Sequence, residues 1–102
     1  MKRFIFSILV LFTGMNVAVA AGDIEAGKSK VAVCAGCHGA NGISASDTYP
    51  NLAGQHADYI VKQLKAFKNG TDRSNALMSP MAAGLSEQDM MDIAAYYSIQ
   101  TT

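Results

Sequence analysis

Cys34-Ala35-Gly36-Cys37-His38 constrains this chain more than any other feature. Two thiols at this spacing, followed at once by a histidine, form the attachment signature of a covalent haem. The thiols can add to the two vinyl groups of one porphyrin, and the adjacent imidazole can bind its iron from one face. Other chemistries use similar residues. A structural zinc site needs four ligands, and beyond this motif the chain offers only the distant His56. A thioredoxin-like redox pair would sit in a βαβ pattern, which is absent here. A structural disulfide suits an exported protein but leaves His38 without a role. Covalent haem accounts for all three residues.

The N-terminus reads as an export signal over residues 1–20. Lys2 and Arg3 supply the positive start, Phe4 to Phe12 an apolar run broken only by Ser7, and Ala18-Val19-Ala20 the small-residue cleavage pattern. The run is shorter than the roughly 20 apolar residues of a comfortable membrane span. Cleavage after Ala20 leaves one domain, 21–102, with no stable membrane span and a periplasmic destination. Past Ala20 the acids outnumber the bases by two. That balance argues against nucleic acid as a partner, since such binders carry a basic patch.

A domain this small buries little core and often depends on a metal, a cofactor or a staple. A haem is a large flat apolar body that can serve as the missing core. Three helical stretches are expected and no strand, so the fold class is all-α. The first spans about 23–37, with Asp23 as N-cap and Ile24, Gly27, Val31 and Cys34 along one face. The second spans about 55–68, with Ala57, Ile60, Val61, Leu64 and Phe67 as its apolar stripe and Asn69-Gly70 as its stop. The third spans about 87–99. Ser86 and Asp89 form a capping box at its start, and Leu85 with Met90 forms a hydrophobic staple. Two long loops, 39–54 and 71–84, join these helices. Loops of this length in a small domain are functional or wrap around something.

The sixth iron position has three candidates: Met78, Met81 and His56. A thioether opposite histidine favours ferrous iron and raises the potential. Both methionines lie in the loop before the last helix, whereas Met90 and Met91, on that helix, suit gap-filling in a core. His56 stands near the start of the second helix, a position that is commonly solvated.

Taken with Gly27, Val31, the loop Gly39-Ala40-Asn41-Gly42, the segment Tyr49-Pro50-Asn51-Leu52, the run Met78-Ser79-Pro80-Met81 and Ala94-Ala95-Tyr96-Tyr97, the motif resembles the class I c-type cytochromes. The likeness is greatest to small bacterial single-haem members and to one half of the two-haem periplasmic ones. It covers the whole expected mature chain. The resemblance implies a small cytochrome c fold wrapped around one haem c. Cys34 and Cys37 would form the thioethers and His38 the proximal ligand. The Pro50 carbonyl would accept a hydrogen bond from the other ring nitrogen of His38, and Leu52 would pack on the haem. Met81 would be the distal ligand, because its spacing to Leu85-Ser86 suits the family better than that of Met78. The first and last helices would cross closely at Gly27, against Tyr96 or Tyr97.

The implied function is single-electron transfer between redox proteins, such as respiratory partners or a membrane oxidase or reductase, by a monomer or weak homodimer that is not itself an enzyme. A gas-binding or peroxidase-like haem protein would need an open distal site, and a dedicated subunit of a larger oxidoreductase would show an apolar patch at the haem edge. Lys62, Lys65 and Lys68 could steer an acidic partner or form an ordinary solvated helix face.

Overall fold

The computed structural model describes residues 22–102, and the expected leader, 1–20, lies outside them. Among the described residues there are five helices and no strand. They are α1 (Ile24–Lys30), α2 (Ala32–His38), α3 (Ala57–Asn69), α4 (Met78–Ala83) and α5 (Glu87–Ser98). Helix α5 packs against both α1 and α3, and α3 also carries α4.

The caps expected from sequence form. The Asp23 carboxylate accepts from the backbone N–H groups of Glu25 and Ala26, which have no partner inside the first turn of α1. Ser86 and Asp89 make the reciprocal capping box of α5. Gly70 ends α3 in the left-handed conformation, at φ 68°. The α3 stripe faces inward: Ile60, Leu64 and Phe67 are buried. Ile60 and Leu64 meet Val31, Met90, Ile93, Ala94 and Tyr97, with Leu52, Met78 and Leu85 packed around the edge.

Two elements differ from expectation. The first helix is divided at Val31, which stays in the right-handed helical region but with ψ opened to 0° at φ −77°. Its carbonyl is shared between the N–H groups of Cys34 and Ala35 at 2.8 and 2.9 Å, a tight turn in the style of helix ends. The second difference is α4, inside the expected loop 71–84. Pro80 argued for irregular chain there, yet it is the third residue of the helix. An N–H in the first turn of a helix has no partner to lose, so proline is tolerated.

The α1–α5 crossing is close enough to exclude any side chain at its centre. A Cβ added to Gly27 would lie 2.0 Å from the Asp92 carbonyl oxygen and 2.8 Å from the Tyr96 Cβ. Beside it, Asp92 is only 2 % exposed. Its carboxylate accepts from the Asp23 N–H at 2.8 Å, the Gln88 amide at 2.8 Å and the Lys30 ammonium at 2.6 Å. Lys30 also reaches Asp89 at 2.9 Å. This small network closes the start of α1 onto α5.

Candidate haem-binding site

The motif occupies α2. Cys34 and Cys37, one turn apart on the same helix face, are both free thiols and both half-buried. Burial, and secondly the neighbouring Cys37, push the Cys34 thiol above its ordinary pKa, so it stays protonated. At Gly36, between them, a Cβ would meet nothing within 4 Å.

His38 closes α2 and is buried. Its Nδ1 lies 2.8 Å from the Pro50 carbonyl oxygen. That oxygen can only accept, so Nδ1 carries the hydrogen and Nε2 keeps its lone pair. Among the described residues nothing hydrogen-bonds to Nε2. A buried imidazole held in this tautomer, with one nitrogen oriented by a carbonyl, is the arrangement of a metal-binding histidine.

The 39–54 loop brings Pro50 back over twelve residues. Gly39 and Gly42 have positive φ, 85° and 82°, which L side chains rarely adopt. The Gly42 carbonyl accepts from the N–H groups of Leu52 and Ala53 at 2.8 and 3.0 Å, and the Asn51 side chain accepts from the Ser44 N–H at 2.7 Å. Tyr97 and Tyr96 donate their hydroxyls to the carbonyls of Gly39 and Ala40, at 3.1 and 2.8 Å. Tyr97 is wholly buried, and burial drives its pKa well above the ordinary tyrosine range. The residues that follow His38 are therefore tied to α5 by two phenols. The resemblance placed these tyrosines only at the crossing of the first and last helices.

The expected distal residues stand apart from one another. Met78 is half-buried against the core, while Met81, one turn on, is 51 % exposed. His56 is exposed at the start of α3, where its side chain makes no cap hydrogen bond. Val33, beside Cys34, and Leu77, before α4, are 57 % and 59 % exposed. Apolar side chains thus stand at the surface on both segments that carry candidate ligands. Two unpaired thiols, an oriented imidazole, an accessible thioether and apolar neighbours make a donor set that fits a haem. No cluster of three or more His, Cys, Asp or Glu that could hold a metal ion occurs among the described residues.

The family model for cytochrome c matches residues 24–98. The chain belongs to the cytochrome c family. Cytochrome c-554(548) of Halomonas halodenitrificans is 49 % identical over 82 residues, covering 78 % of this chain and 99 % of that protein. Cytochrome c4 of Pseudomonas aeruginosa is 42 % identical over 100 residues, covering 98 % of this chain and 49 % of that protein. The crystal structure of reduced recombinant cytochrome c4 from Pseudomonas stutzeri superposes with a TM-score of 0.75 at 46 % identity, over 79 % of this chain and 47 % of that one. The chain thus spans nearly all of the first relative and about half the length of the cytochromes c4. As a cytochrome c it carries covalent haem c, the cofactor of an electron-transfer protein, on the all-helical fold of its relatives.

Proposed function

We propose that this cytochrome c is an exported single-electron carrier, working in the periplasm between protein redox partners rather than turning over a substrate. The observation that carries this reading is the His38–Pro50 hydrogen bond at 2.8 Å. It leaves Nε2 as the free donor on a buried, immobilised ring.

Each role follows from the chain's own residues. Addition of the S–H bonds of Cys34 and Cys37 across two vinyl groups forms the thioethers. His38 Nε2 is the proximal ligand, and Pro50 fixes its ring plane. Met81 is the distal ligand. The packing of Met78 against the core and the exposure of Met81 support that choice, since one sulfur is engaged in packing and the other is accessible. Leu52, packed at the edge of the core, supplies apolar wall. When bound, haem c supplies a reversible one-electron iron couple. The chain supplies axial ligands, orientation and a low dielectric. A nitrogen and a sulfur donor together leave the iron no open position for a substrate. Partners then meet the carrier through small, short-lived interfaces.

Met81→Ala in the haem-loaded protein tests this reading. Covalent attachment stays intact, the weak far-red methionine-to-iron band disappears and the reduction potential falls. A variant that keeps the band contradicts the assignment of Met81 and points to Met78. Cys37→Ala, by contrast, damages covalent attachment, leaving at most the Cys34 thioether, as seen by weakened haem staining after denaturing electrophoresis.

A further inference from the structure

Lys65 and Lys68 offered two readings, a docking patch or a solvated face; the structure shows a third use. Both reach across from α3 to the corner that ends α4. Lys68 donates to the Leu85 carbonyl at 2.5 Å, and Lys65 forms an ion pair with Glu87 at 2.8 Å. Among the described residues no backbone N–H reaches the Leu85 carbonyl. Gly84, Leu85 and Ser86 are the whole connection between α4 and α5. Fixing Leu85 and Glu87 therefore fixes where α4 stops, one turn beyond Met81. The other end of α4 is tied as well. The Asn75 side chain accepts from the N–H groups of Leu77 and Met78, both at 2.9 Å, and the Ser79 hydroxyl accepts from the Asn75 N–H at 3.1 Å.

These ties matter because α4, though it rests on α3, buries little of itself. Ala82 is its one buried residue, and its first turn has no cap from the preceding Leu77 side chain. Exposed ion pairs contribute little in general, but a segment with few buried residues is one where local opening costs little. Lys62, on the same helix, makes no hydrogen bond or ion pair among the described residues, so it is the internal control.

We infer that Lys68, assisted by Lys65, is a positioning residue that clamps the methionine-bearing helix and so keeps the sixth iron position closed. The inference rests on the reading of a methionine on α4 as the distal ligand. A ligand that competes for that position binds only when the segment opens, so its apparent affinity reports the open fraction.

The test is an imidazole titration of the ferric, haem-loaded protein, followed by loss of the far-red band, with helix unfolding measured on the same samples. Lys68→Met should tighten apparent imidazole binding about fivefold, equivalent to about 1 kcal/mol. Lys65→Met should tighten it about twofold. Lys68→Arg, which keeps a donor, and Lys62→Met should stay near the parent. Imidazole affinity unchanged in Lys68→Met overturns the clamp, as does a lowered unfolding midpoint with unchanged affinity, which marks a merely structural lysine. Met81→Ala separates the two readings. If that variant keeps the band, the choice of Met81 fails, while the Lys68 titration still decides the clamp, because Met78 lies on the same helix.

Discussion

The α1–α5 crossing and the α4 segment are held in place by different means. At the crossing, contact is backbone to backbone. Gly27 leaves no room for a methyl group, and the buried Asp92 collects three donors from Asp23, Lys30 and Gln88. At α4, one alanine is buried, and exposed side chains tie both ends. Of the two, the crossing is the more deeply buried and α4 the more exposed. On the proposed ligation, the methionine side therefore lies on the kind of structure in which local opening occurs.

The difference can be broken most severely at Gly27. Gly27→Ala places a methyl group 2.0 Å from the Asp92 carbonyl oxygen and should cost about 3 kcal/mol, the upper part of the usual overpacking range. Urea unfolding measures it. The whole molecule should be destabilised, with no selective loss of the far-red band before unfolding. Asp92→Ala comes next. It removes the acceptor shared by three donors and leaves Lys30 with Asp89 alone, at a cost of about 2 kcal/mol.

The same network sets an acid limit. Lys30, then the Asp23 N–H, hold the Asp92 carboxyl below the ordinary carboxylate range, and Lys30 with Ser86 lowers Asp89 to about 2. Groups with depressed folded-state pKa values stabilise fully above their unfolded values near 4, and that contribution is lost as pH falls through the folded ones. The thermal midpoint should therefore be steady from about pH 7 to 5 and drop between about pH 4 and 2. Asp92→Asn should flatten part of that drop. An equally steep acid profile in Asp92→Asn would mean that other carboxylates set the limit.

The smallest effect should come from strengthening the soft side. Gly84 caps α4 at φ −83°, and a Cβ there meets nothing within 4 Å. Gly84→Ala should stabilise by about 0.5 kcal/mol through the unfolded chain and weaken imidazole binding to the ferric protein about twofold. Tighter imidazole binding in that variant would show that α4 does not govern access.

The same contrast explains what was legible in the sequence. The stiff side announced itself through strong local rules: Asp23 as N-cap, the Ser86–Asp89 capping box, and the α3 stripe ended by Gly70. Each depends on residues within a few positions or on a regular period. The His38–Pro50 pairing came instead from family resemblance, since no local rule joins residues twelve apart. The soft side was read as loop because Ser79-Pro80 is a turn signal, and the competing signal, the Asn75 side chain accepting from the N–H groups of Leu77 and Met78, is short and weak. Nothing local in the sequence singles out Asp92. Its burial depends on the backbone approach at Gly27, which spacing along one helix does not reveal. Lys65 and Lys68 lie off the apolar stripe of α3, where sequence offers no means of telling a clamp from a solvated face.

The most direct test of a closed electron carrier is the absorption spectrum of the mature, haem-loaded protein in ferric and ferrous forms, before and after addition of carbon monoxide. The His38/Met81 reading predicts a low-spin spectrum with the far-red methionine band in the ferric form and no prompt change of the ferrous form under the gas. A high-spin ferric spectrum, together with a ferrous form that shifts at once on adding carbon monoxide, would contradict it and make this cytochrome c a ligand-binding or catalytic haem protein.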